Sequence, residues 1–321
     1  MAIDLPYWAF ALLPMFLFSA ALFWGAPAIA LVSELIGMVG GKPFPGRSAR
    51  QTSRLAVWGH LLFWLLIAAG TGLAVAQNPQ TMAFLTNNFI LLALGMALPF
   101  FGSLVLVAYD LTWIKAKEHR TMHFLLGCLA NIGIKYGYWG LVAVALVIFR
   151  GLPINHPAFL PPWTSPFWPL AALWLPLSLA LAAGLGLIYV LLRRNRDDWG
   201  RDYYRFAPPF LGKWQMAGAM TTLAIMIWLF FSLKGIFNLF LPQIFYAAVA
   251  GAAGLGLTVL LSLVLCLTDN PMRLKGTMIG IFFFSYVSSG LILVAILETF
   301  NRYVPGWSIP TFMPEVLRLL R

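Results

Sequence analysis

The chain has 321 residues, 61 % of them hydrophobic and only 10 % charged, with a mean hydropathy of +0.85. So few charges do not cover a soluble domain of this length, and the composition predicts a polytopic integral membrane protein. The formal net charge of +11 is then no sign of a nucleic-acid partner, because basic residues of membrane proteins gather at the cytoplasmic face and fix topology.

A spanning helix needs roughly 20 mainly apolar residues. Eight segments qualify, at about 8–37, 55–77, 88–109, 122–149, 167–192, 214–236, 243–267 and 276–299. The opening MAIDLPYWAF has no basic stretch before its apolar run, so the first segment is expected to be a retained helix and not a cleaved signal. Breaks are read at KPFPGRSARQTSR, QNPQT, the Pro-rich LPINHPAFLPPWTSPFWP, RRNRDDWGRDYYRFAPP and TDNPMRLK. The loops after the first, third, fifth and seventh segments hold 15 of the 21 Lys and Arg residues, so these loops are expected to face the cytoplasm and both termini the outside. The tail NRYVPGWSIPTFMPEVLRLLR mixes aromatic, Leu and Arg residues as an outer interfacial segment does.

An offset of 159 residues places Arg54 on Lys213 and Asp110 on Asp269, and each half then has a long first loop and a short second one. The expected architecture is all-α: eight transmembrane helices forming two four-helix bundles in tandem, residues 1–158 and 159–321. The halves differ in polarity, since His60 falls on Ala219, His123 on Phe282 and Lys135 on Val294. A buried site is therefore expected in the first bundle.

The stretch Lys115–Trp139, KAKEHRTMHFLLGCLANIGIKYGYW, carries the deepest polar chemistry. His60 lies six residues past Arg54 and His123 three past Arg120, at expected depths of roughly 9 and 4.5 Å. Two imidazoles at similar depth on diagonal helices are candidate axial ligands of a b-type haem, with His119 competing for the role of His123. The alternative is that both are interfacial histidines bonded to loops or headgroups. Lys135 lies about 22 Å into a core of about 30 Å. It shares a face with Asn131 and Tyr138, and the three are candidate contacts for a quinone carbonyl or a proton. The alternative is that Lys135 snorkels outward beside Trp139. Glu34, Asp110 and Asp269 read as helix-end acids paired with loop arginines, and Lys234 and Glu298 as a pair at the outer level. Cys128 and Cys266 sit in separate apolar runs, which gives no disulfide framework and no CxxC motif. No phosphate-loop, dinucleotide or HExxH motif is present, and no catalytic or metal residue is assigned beyond the haem ligands.

Several runs in the first half resemble subunit I of the cytochrome bd quinol oxidases over about residues 8–157. They are FALLPMF and SELIGMVGGK in the first segment, WGHLLFWLLIAAGTGL in the second, and YDLTWIKAKEH, LGCLANIGIKYGYWGLV and IFRGLPINHP around the fourth. The resemblance implies an N-terminus outside, a bacterial cytoplasmic (inner) membrane, and contact with haem b and quinone or quinol. Where that family has a haem-ligating His in its first helix this chain has Leu17. Where it has glutamates in its third helix this chain has Asn87, Asn88 and apolar residues. Only NLFLP stands in place of its long quinol-binding loop.

The expected function is an integral membrane subunit of a respiratory electron-transfer complex that does not itself reduce oxygen. Its expected partners are membrane lipid and other subunits, the latter docking on the outer loop 150–168 and the C-terminal tail. A cofactor-free permease and a purely structural anchor are the alternatives.

Overall fold

In the computed structural model, residues 7–77, 79–115, 118–150, 156, 159–197 and 199–303 are described. They form nine α-helices and no strand: α1 (Tyr7–Val39), α2 (Pro43–Gln77), the short α3 (Pro79–Asn87), α4 (Phe89–Leu111), α5 (Arg120–Arg150), α6 (Phe167–Asp197), α7 (Arg201–Leu233), α8 (Pro242–Leu267) and α9 (Lys275–Tyr303). All but α3 are long and apolar enough to cross a membrane, and a helix is the element that satisfies its own backbone there. Large apolar side chains such as Leu65, Ile90, Leu94, Phe231 and Leu260 stand exposed along them, as lipid-facing residues do. The chain is an all-α, multi-pass membrane protein.

Two segments expected to be loops are helical. Residues 43–54 belong to α2, and residues 201–213 belong to α7. Pro43 and Pro45 fall in the first turn of α2, where a missing N–H costs nothing because those donors have no intrahelical acceptor. The turn before each helix is closed by a glycine in the left-handed region, Gly41 at φ 61° and Gly200 at φ 82°. These two glycines stand 159 residues apart, the offset that also relates Arg54 to Lys213.

The chain divides into two compact units. The first comprises Phe18–Trp163 with Trp199–Ala207, and the second the described residues of 1–17, 164–198 and 208–321. In the first unit the basic start of α2 is fixed by Arg47 Nη1, which donates to the Trp199 carbonyl at 2.9 Å, and by Tyr203 Oη, which donates to Gln51 Oε1 at 2.6 Å. Helix α1 is the most enclosed span of this unit, 61 % buried against 17–28 % for α2, α4 and α5. Phe23, Ala26, Ile29 and Ala30 on it are fully buried. Helices α4 and α5 approach closely: a Cβ on Gly133 would lie 2.9 Å from the Gly102 Cα, and one on Gly137 would lie 2.4 Å from Pro99 Cδ. Small residues at such crossings let membrane helices gain dispersion contact that lipid does not supply.

In the second unit α6 takes the enclosed position, also 61 % buried. Gln215 of α7, with no exposed surface, ties three helices together. Its Nε2 donates to Thr258 Oγ1 at 2.6 Å and Ser285 Oγ at 3.2 Å, and its Oε1 accepts from Ser262 Oγ at 2.5 Å.

Candidate functional site: a polar seam around helix α1

The deepest polar side chains of α2 and α5 in the first unit meet α1, and Pro27 explains one of these contacts. Proline has no N–H, so the carbonyl of Phe23, four residues earlier, lacks its helical donor. His60 Nε2 lies 2.9 Å from that carbonyl oxygen. A carbonyl only accepts, so Nε2 carries the hydrogen, which sets the tautomer of a neutral His60. Its Nδ1 lies 2.8 Å from Ser103 Oγ, which in turn accepts from Trp64 Nε1 at 2.9 Å. The Phe23 ring stacks on the imidazole with centroids 3.9 Å apart.

From the other side, α5 supplies two more donors. Lys135 Nζ donates to the Trp24 carbonyl. Asn131 Nδ2 donates to the carbonyls of Pro27 at 3.1 Å and Gly127 at 3.0 Å. Lys135 thus turns inward to α1 and not outward to the surface. Tyr138 places its ring edge on Trp24, centroids 5.6 Å apart. The i, i+4, i+7 face read from the sequence therefore does come together, and what it meets is the α1 backbone.

A second station lies farther along α1. Glu34 Oε1 is 2.7 Å from His123 Nδ1, with the two side chains 5 % and 3 % exposed. Tyr109 Oη donates to Glu34 Oε2 at 2.6 Å, and His123 Nε2 donates to the Tyr109 carbonyl at 3.0 Å. The Tyr109 and Trp113 rings close over the imidazole at 4.5 and 4.4 Å. Because Nε2 faces a carbonyl, it must carry hydrogen, and the Glu34–His123 contact holds one further proton. The dyad is then neutral as a whole, either as carboxylate and imidazolium or as acid and imidazole. Such pairing is what makes ionisable residues tolerable in an apolar interior.

Glu34 is thus no partner of a loop arginine, contrary to expectation. Asp110 does follow the expected pattern: it pairs with Arg54 at 3.7 Å and accepts from Ser53 Oγ at 2.7 Å. Trp113 Nε1 donates to the same Ser53 hydroxyl at 2.9 Å. No ion pair joins Lys234 to Glu298 among the described residues, and Lys234 Nζ sits 4.5 Å over the Phe231 ring.

The expected similarity in depth of the two histidines is not what the partners indicate. His60 bonds at Phe23 and His123 at Glu34, eleven residues apart on α1, or about 16 Å along the axis. Arg54 misled the depth estimate because it lies well inside α2, which starts at Pro43. Both ring nitrogens of each histidine are engaged by protein groups, so ligation of iron by either requires giving up one of these bonds. As arranged, the pair does not fit an axial ligand set. His119 is exposed at the start of α5, and its own carbonyl accepts the His123 N–H at 3.0 Å. Asn131 gives both amide N–H groups to the Pro27 and Gly127 carbonyls, and Lys135 donates to the Trp24 carbonyl, so the partners shown for these two residues are backbone groups. Among the described residues no group of three His, Cys, Asp or Glu side chains is placed to hold a metal ion.

Sequence reasoning missed Glu34, Tyr109, Ser103 and Trp64 as members of these clusters. For the His60 cluster the available signal was Pro27 itself: a proline mid-helix frees a carbonyl four residues back, and a donor must come from a neighbouring helix. Of the expected docking surfaces, residues 151–155 and 157–158 of the outer loop and the tail from residue 304 onward lie outside the described residues. Comparison with protein-family models, with curated proteins and with solved structures finds no match for this chain.

Proposed function

We propose that the chain is a scaffold subunit of a cytochrome bd-like respiratory complex in a bacterial cytoplasmic membrane, with its interior closed to haem. One observation carries the scaffold reading. The polar side chains best placed to hold a cofactor in the first unit, His60, His123, Asn131 and Lys135, commit their hydrogen bonds to α1 and its neighbour α4. The respiratory assignment rests on the resemblance of residues 8–157 to that family's subunit I. In this reading electron transfer and quinol chemistry belong to partner subunits, and this chain anchors them. The test is to purify the chain alone and within its native complex, and to record reduced-minus-oxidised spectra of each. The proposal expects no b-haem band from the isolated chain and haem-bearing subunits in the complex. A b-haem band from the isolated chain that His60→Ala abolishes would overturn it.

A second reading is a permease, favoured by the carbonyls of Phe23, Trp24 and Pro27 that face side-chain donors around Pro27 of α1. Backbone carbonyls that accept from inward-facing groups line many transporter sites, there at unwound helices; α1 keeps its helical path past Pro27. Solute flux into liposomes that Lys135→Met abolishes would select this reading over the first.

A further inference from the structure

The second unit contains an apolar groove of about 980 Å³, at the upper end of the range for ligand sites. It is lined by Phe230, Phe245, Ala248, Ala252, Ile292 and Phe300 among others, and only Ser165 and Thr299 bring polar side chains to it. Unfilled space of this size forfeits dispersion contacts, and the solvent available to a membrane helix is hydrocarbon.

One end of the groove is chemically different. The turn between α7 and α8 forms a smaller cleft lined by Lys234, Asn238 and Phe240, which shares Ile236, Phe237 and Leu239 with the groove. Lys234 is exposed there, one residue past the end of α7, with its ammonium over Phe231 of the groove wall. Its level is that of a headgroup, where the spanning helices end. A cation at the rim of a hydrocarbon-lined slot is complementary to an amphiphile with an anionic head and a long apolar chain.

We propose that this groove is a binding site for an anionic phospholipid, with acyl chain along α7, α8 and α9 and phosphate at Lys234. The proposal is independent of the respiratory reading, because it uses no residue of the first unit. It implies that the lipid is an integral part of the second unit and is retained when bulk lipid is removed.

The probe is phosphatidylglycerol, compared with phosphatidylcholine, added to delipidated full-length protein in detergent and counted by native mass spectrometry. Wild type is expected to bind phosphatidylglycerol about fivefold more tightly than phosphatidylcholine, the factor one interfacial lysine contributes. Lys234→Gln, at an exposed position that does not threaten folding, is expected to weaken phosphatidylglycerol more than phosphatidylcholine and so to remove that preference. Ala252→Phe, which fills the groove, is expected to weaken both lipids in protein that melts as wild type does. Equal binding of the two lipids by wild type would overturn the proposal. So would unchanged lipid binding in Ala252→Phe, or a change in that variant's oligomeric state in place of its lipid count.

Discussion

Pro27 and His60 are complementary: the proline removes an N–H from α1, and the imidazole Nε2–H replaces it at the Phe23 carbonyl, 2.9 Å away. A histidine that looks like a metal ligand in the sequence is here a surrogate backbone donor. Lys135 and Asn131 add donors to the Trp24 and Pro27 carbonyls, which also have their own helical N–H partners at Ala28 and Leu31. At Phe23 the seam supplies the donor that Pro27 cannot, while α1 stays continuous from Tyr7 to Val39.

The Glu34–His123 dyad predicts a graded response to substitution. In Glu34→Gln the amide oxygen still accepts from Tyr109, and the amide N–H donates to a neutral His123, so little stability is lost. Glu34→Ala leaves His123 Nδ1 and Tyr109 Oη without their partner and should cost about 3–5 kcal/mol, the scale of a broken buried pair. Thermal unfolding in detergent distinguishes the two; equal losses would show that the shared proton has no structural role.

Asn131→Leu removes two donors from α1 and α5 carbonyls while keeping volume. Interhelical bonds in membranes average about 0.6 kcal/mol and reach about 1.7, so a loss of roughly 1 kcal/mol is expected, read as a lower melting temperature. Under the scaffold reading the variant still assembles with its complex, which a pull-down of native subunits measures.

Gly137→Ala should be among the most damaging single substitutions in the first unit. Its Cβ would lie 2.4 Å from Pro99 Cδ and 2.7 Å from Pro99 N, atoms of a rigid ring on the facing helix. Overpacking of this kind costs about 1–3 kcal/mol or more. Gly70→Ala, with nothing near the added Cβ, is the control and should melt as wild type.

Gln215→Leu tests the second unit. It leaves Thr258, Ser262 and Ser285 without their shared partner, though each hydroxyl can turn to a carbonyl of its own helix, as Thr258 already does with Leu255 at 2.7 Å. The expected cost is therefore modest, about 1–2 kcal/mol, with no change in the first unit's resistance to proteolysis.

The spans were legible because apolar runs of spanning length have few other readings. The ends of α2 and α7 were not, because a basic, Pro-containing segment such as KPFPGRSARQTSR is charged enough for a loop yet compatible with a helix start. The polar residues were legible one by one, but not their partners. His60 and His123 look alike in sequence, and only the packing of α1 assigns one to a carbonyl and the other to Glu34. Backbone carbonyls carry no side-chain signature, so three of the seam's acceptors are invisible in the sequence, and Pro27 points to only one of them, at Phe23.

The most direct test of the seam is a double-mutant cycle between Pro27 and His60. His60→Phe keeps a ring against Phe23 and loses the Nε2–H donor. In the Pro27 background it should cost about 1–3 kcal/mol, the penalty of an unsatisfied buried carbonyl. In a Pro27→Ala background the backbone N–H restored at that position supplies the Phe23 carbonyl. The same substitution should then cost little, giving a coupling of about 1 kcal/mol or more by reversible unfolding in detergent. An equal cost of His60→Phe in both backgrounds would contradict the account.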